Sequence, residues 1–368
     1  MKMRIALDAM GGDFLAAPNL LGAYSALLRA EDEKEDLQIF LCAPQKELRE
    51  SLSQILANKS DQKLDFKFET SRWEAWEREQ KIVFVEAEDV VGMDESPSAV
   101  VRSKKNSSMA KCFQLVKEGQ ADAALSAGNS GAMMAYGIAI LGRLPSVKRP
   151  AILCHFPSQE GVTALLDSGA NVDCTALHLE QFAWMGKLYV QAIFDKPKVK
   201  VAVLNIGEEE GKGNELVKEA HELLKAKMPE EYMGYVEGRD LLTGRADVIV
   251  CDGFVGNVVL KTAEGVAKAV GRILKQEFSR STIWSFGAWL ARGGFMAMKS
   301  KLDYREYGAA PLIGLQGLGL IAHGSSDAKA ISSAIRMASH YAKQGLMEKL
   351  KTHFSAPQIE EKLAKTEA

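Results

Sequence analysis

Short apolar runs punctuate the chain at Arg4–Leu7, Leu37–Cys42, Lys81–Glu86, Ala121–Leu125, Ala151–Cys154, Thr163–Leu166, Val199–Asn205 and Asp247–Cys251. Each reads as a strand buried on both faces. Helical patterns fill many of the gaps, and the clearest places Val259, Ala263, Val266, Ala267, Val270, Ile273 and Leu274 on one side of an amphipathic helix. Strands that alternate with helices predict an α/β layer fold with a mostly parallel sheet. No Pro/Ser-rich linker divides the chain. Glu31–Asp36 and Pro44–Lys63 read as surface helices and loops.

Small polar residues follow five of these strands: Asp8–Asp13, Ser126–Gly131, Asp167–Asn171, Asn205–Glu208 and Asp252–Asn257. In open α/β sheets ligands bind at the carboxyl ends of strands, so five such ends can converge on one crevice. Any one of them is also ordinary turn chemistry. The richest is Ser126-Ala127-Gly128-Asn129-Ser130-Gly131, set between the strand Ala121–Leu125 and helically spaced Met133, Met134, Ile138 and Leu141. A strand, Gly/Asn/Ser turn and helix in this order point backbone N–H groups at an anion. Asn129 or Ser130 can also cap the helix.

A different pattern occupies Glu277–Leu302. Ile283, Trp284, Phe286, Trp289, Leu290, Phe295, Met296 and Met298 lie among Arg280, Arg292, Lys299 and Lys301, and Gly287, Gly293 and Gly294 favour a helical hairpin over one long helix. Such a hairpin packs in the core or at a dimer interface, or its aromatic and basic residues meet lipid or an acyl chain. Beyond it, Leu346–Ala368 reads as an amphipathic tail helix with Leu350, Phe354, Ile359 and Leu363 on one face.

At 368 residues and 47% hydrophobic content the chain can bury a large core. Its net charge of −2 gives no electrostatic case for nucleic acid. Five cysteines without a CxxC pair read as reduced thiols in a cytoplasmic protein. No HExxH or Cys/His spacing calls for a metal. The N-terminus turns polar too soon for a signal peptide, and no apolar run approaches the ~20 residues of a spanning helix. P-loop, Rossmann and GxSxG patterns are missing, which weighs against NTPase, NAD and serine-hydrolase chemistry. What remains is an anion site built from amides, carboxylates and a few cations. Lys104, Lys105, Lys212 and Lys261 are candidates to touch a ligand or to be solvated surface charges, and His323 opens a helix where it can bind an anion, move a proton or simply fill a turn.

Several blocks in order resemble the PlsX family, the bacterial acyl-acyl carrier protein:phosphate acyltransferases. They are Ile5–Asp13, Lys104–Met109, Ser126–Gly131, Leu166–Asp173, Leu204–Glu215, Glu237–Asp240, Ala246–Asn257, Tyr307–Gly308 and Ala322–Asp327. Phe14 departs from a frequent histidine, Ser130 from a common threonine, and the tail after Gly345 falls outside the likeness. The resemblance implies a three-layer α/β/α sandwich of the isocitrate/isopropylmalate dehydrogenase kind, related to phosphotransacetylases. It implies one acyltransferase domain over 1–345, with the apolar segment 277–302 protruding and 346–368 as a tail. It also implies a homodimer that needs no cofactor or metal and moves a long fatty acyl group from acyl carrier protein to inorganic phosphate. The acyl phosphate would feed a glycerol-3-phosphate acyltransferase in phospholipid synthesis, from a cytoplasmic enzyme lying on the inner face of the cell membrane.

On this basis Ser126, Gly128, Asn129, Ser130 and Gly131 are expected to hold phosphate, with Lys104, Lys105 and Lys261 adding charge. Asn205, Asn257 and His323 are expected around the reacting carbonyl. Asp8, Asp13, Asp167, Asn171 and Asp252 are expected to organise loops, and Trp284, Phe286, Trp289 and Phe295 to contact membrane or acyl chain. Rival expectations are a phosphotransacetylase acting on short acyl-CoA, a decarboxylating dehydrogenase and a non-catalytic membrane scaffold.

Overall fold

A computed structural model describes residues 2–57, 66–296 and 308–355. Its strands are β1 Met3–Asp8, β2 Leu37–Ala43, β3 Ile82–Glu86, β4 Ala123–Ser126, β5 Ala151–Ile152, β6 Cys154–Ser158, β7 Gly161–Leu166, β8 Val201–Leu204, β9 Tyr232–Val236, β10 Val248–Val250, β11 Ala309–Ile313 and β12 Leu318–Ala322. They form two sheets, ordered β3-β2-β1-β4-β12-β11-β5 and β6-β7-β10-β8-β9. Both are mostly parallel, with antiparallel pairs at β11 and at the β6 edge.

The chain divides into two compact units, one for each sheet: Met1–Ile152 with Leu188–Pro197 and Tyr307–Ala368, and Leu153–Lys187 with Lys198–Glu306. The apolar run Ala151–Cys154 is not one strand. Ala151 and Ile152 pair with β11 of the first sheet, whereas Cys154 pairs with Leu165 of the second.

In the first unit the chain steps outward from β1 to β2 and β3, then returns to lay β4 on the other side of β1. Right-handed crossovers therefore place the helices Ala16–Asp32 and Ser108–Lys117 on opposite faces. The helix Ala328–Lys343 packs on Ala16–Asp32 and against β1, β4 and β12. It buries Ile331, Ile335 and Tyr341, each worth about 1.5–3 kcal/mol of apolar burial. The reversal between β1 and β4 is a topological switch point, where the strand ends leave a crevice for a ligand. Asp8 and Ser126 are the last residues of these two strands.

The second unit has its core in Phe156, Leu165, Ala202, Leu204, Val236 and Ile249. The long helix Gly253–Phe278 packs its first turns on that core through Val255, Val259, Leu260 and Ala263. Further along, the apolar stripe has no cover among the described residues: Val266, Val270 and Ile273 are exposed. The next helix, Thr282–Leu290, buries none of its residues, and Ile283 keeps 78% of its surface exposed. Packing of this hairpin in the chain's own core is thus not seen among the described residues. Phe286 stacks on Trp289 at 5.8 Å, and the Arg292 guanidinium lies 5.9 Å from the Trp289 ring. Residues 297–302 of the apolar segment 277–302 lie outside the described residues. In the tail, Leu346–Ser355 is helical and buries Leu346, Leu350 and Phe354, while Ile359 and Leu363 lie outside the described residues.

Candidate active site

In the first unit the site is built on Asp8. The carboxylate is buried, which pushes its pKa up. Ser126 Oγ donates to it across 2.7 Å and Met10 N–H across 3.2 Å, and both pull the other way. Ser126 Oγ in turn accepts from Gly128 N–H at 2.9 Å. The Ser126 hydroxyl therefore shapes the turn from inside. Gly11 lies directly above, where a Cβ would come within 2.7 Å of Ser126 Oγ and 2.9 Å of Gly128 N. Only glycine lets the β1 and β4 loops close on each other.

Asn129 is the N-cap of the helix Ser130–Tyr136 and accepts from Ala132 N–H at 3.0 Å. Its Nδ2 donates to the carbonyls of Met93 and Glu95, both at 2.9 Å. The amide clips the 93–95 loop to the cradle. Ser130 and Gly131, next along, are exposed. The Lys104 ammonium is committed too: it lies 2.7 Å from Glu95 Oε2 and 2.7 Å from the Val90 carbonyl, and holds the Glu95 carboxyl below its ordinary pKa. Lys105 is exposed and pairs with no acid among the described residues. On the far side of β4, His323 Nδ1 accepts from Ser325 N–H at 3.1 Å. Asp13 N–H donates to the Gly324 carbonyl at 2.8 Å, so the loops after β1 and β12 meet over the end of β4.

The second unit repeats the device with other residues. Asp167, buried at the end of β7, accepts from the N–H groups of Gly169, Ala170 and Asn171 and from Asn171 Nδ2, the last at 2.8 Å. Asp252 caps the helix Gly253–Phe278 through Val255 N–H at 2.8 Å. A Cβ on Gly256 would lie 1.9 Å from the Asp167 carbonyl, so glycine lets the helix seat against this loop. Asn205 is also spent on its own loop, accepting from Ile206 N–H at 2.8 Å and donating to the Lys212 carbonyl at 3.2 Å. Asn257 is exposed, and its side chain makes no hydrogen bond among the described residues. One turn on, Lys261 is exposed and reaches Glu264 at 3.3 Å.

A family model described as fatty acid synthesis protein matches residues 3–349. The chain belongs to that family. A phosphate acyltransferase of Geotalea daltonii is 45% identical over 96% of this chain and 95% of its own length. One of Trichlorobacter lovleyi is 44% identical over 95% and 93%. A solved phosphotransacetylase of Streptococcus pyogenes shares the fold at TM-score 0.53 and 18% identity, covering 92% of this chain and 93% of that one. The expected α/β fold is thus found, and the solved phosphotransacetylase shares it.

Within this family member, loop-shaping side chains outnumber those facing outward. Glu95, which takes the Lys104 charge, carried no local signal, because the pair is nine residues apart across a loop and a helix. Asn19, buried in the first turn of Ala16–Asp32, was legible only as an amide before the apolar pair Leu20-Leu21.

Proposed function

We propose that this protein transfers a long-chain fatty acyl group from acyl carrier protein to inorganic phosphate. The observation that carries the reading is 45% identity, over nearly the whole chain, to a protein named phosphate acyltransferase. A phosphate oxygen attacks the thioester carbonyl, the C–O bond forms, the C–S bond breaks, and the phosphate proton goes to the departing thiolate. Phosphate is already an anion at neutral pH, so it needs holding and orienting more than deprotonation. The Ser126–Gly131 turn supplies the holding. Ser126, Gly128 and Asn129 set its shape, while Ser130, Gly131 and Lys105 face the anion. His323, just past the end of β12, is a donor for the carbonyl oxygen as it gains charge. Asp13 fixes the loop after β1, and in the second unit Asn205, Asp167, Asn171 and Asp252 each fix their own loop, with Lys261 one helical turn after Asn257.

Among the described residues no helix is long and apolar enough to cross a membrane. The exposed Trp284, Phe286, Trp289 and half-buried Phe295 favour attachment to a membrane face or a second copy of the chain, with the acyl phosphate passed on to a glycerol-3-phosphate acyltransferase. This apolar bulk favours a long acyl group over acetyl-CoA. Palmitoyl carrier protein and acetyl-CoA assayed side by side test the choice. Turnover of the first alone is expected, and preference for acetyl-CoA would overturn the reading.

A further inference from the structure

The loop after β1 is gripped from below by Asn19. Its Nδ2 lies 3.1 Å from the Ala9 carbonyl, 2.9 Å from that of Gly11 and 2.9 Å from that of Leu15. Three acceptors around one nitrogen fix which way the amide points. Its Oδ1 is buried without a hydrogen-bond partner among the described residues.

The grip has a visible purpose. Leu15 sits at φ 52° and ψ −134°, backbone space that L residues rarely enter and that persists only when neighbours over-determine it. The strained stretch continues the loop in which Gly11 presses on Ser126 and Gly128 and Asp13 binds the Gly324 carbonyl. Shifting this loop shifts the cradle's roof and the segment that carries His323.

We infer that Asn19 is a positioning residue for the phosphate subsite, an inference that rests on the proposed acyl transfer to phosphate. It touches no substrate. It holds three carbonyls of the β1 loop so that Gly11 closes on the Ser126–Gly131 turn. Aspartate at 19 would set a carboxylate against three carbonyl oxygens, and alanine would remove the amide donor that the three share.

The test is steady-state kinetics of Asn19→Ala and Asn19→Asp with both substrates varied and folding checked by circular dichroism. The KM for phosphate is expected to rise roughly tenfold, while the KM for the acyl donor changes less than about twofold. A structural defect alone would lower activity without separating the two constants. Adding Leu15→Gly to Asn19→Ala removes the strain that the amide resists and is expected to recover most of the phosphate KM. Should Asn19→Ala fail to fold, the double variant carries the measurement. An unchanged phosphate KM, two constants that rise together, or no rescue by Leu15→Gly would overturn the role of Asn19. A wild-type protein whose acyl release ignores phosphate would instead overturn the proposed function.

Discussion

Ser126 donates its hydroxyl hydrogen to the buried carboxylate of Asp8 across 2.7 Å, joining the carboxyl ends of two neighbouring parallel strands. The same oxygen takes the Gly128 N–H, so one hydroxyl ties the acid, the strand end and the turn together. Ser126→Ala leaves Asp8 short of a donor in a site closed to water. The expected loss is about 1–3 kcal/mol of unfolding free energy, read by urea denaturation, with a weaker hold on phosphate.

Asn129 does two jobs that separate chemically. Asn129→Asp keeps the oxygen that caps Ser130–Tyr136 and loses the N–H donors to Met93 and Glu95. Asn129→Ala loses both. The alanine variant is expected to lose about 1 kcal/mol more than the aspartate, the usual worth of an N-cap. Both are expected to lose activity, because the 93–95 loop is released in each. Equal stabilities in urea would count against the capping role.

Much of this architecture was legible in the chain. All eight apolar runs lie in or across strands, since buried parallel strands need continuous apolar sequence. β9, β11 and β12 were hidden for physical reasons. β9 holds Gly234 at φ 98° inside the strand, β11 carries Pro311, and β12 is broken by Gly319 and follows a turn with Gly314 and Gly317. The turn at Ser126–Gly131 announced itself by composition. Which of its side chains face inward did not, because Asp8 and Ser126 lie 118 residues apart and meet only through strand order. Lys104 looked free for the same reason, since its partner Glu95 comes from a separate loop.

His155, half-buried on β6, has its pKa lowered by burial to about 4, against about 6.5 in an unfolded chain. The folded protein therefore binds this proton less readily than the unfolded one. His155 contributes its stability in full above about pH 6.5 and loses it as pH falls toward 4, a swing on the order of 3 kcal/mol. Burial raises Asp8, which works in the opposite sense. The difference between wild type and His155→Gln, measured by urea unfolding from pH 7 to 4, isolates the histidine. That difference is expected to shrink as pH falls, and a constant difference would contradict the assignment.

Trp284 and Trp289 stand exposed on the hairpin. Replacing both by glutamate removes apolar area that a lipid surface would bury, at about 25 cal/mol per Å². Flotation with anionic vesicles is expected to fall sharply. Undiminished flotation would assign this surface to a second copy of the chain, with sedimentation as the check.

Release of carrier protein from palmitoyl carrier protein, followed with and without inorganic phosphate, tests the acyl transfer most directly. Release is expected to rise with phosphate, saturate, and be matched by acyl phosphate in equal amount. Release indifferent to phosphate, or saturable release that yields free fatty acid and no acyl phosphate, would contradict it.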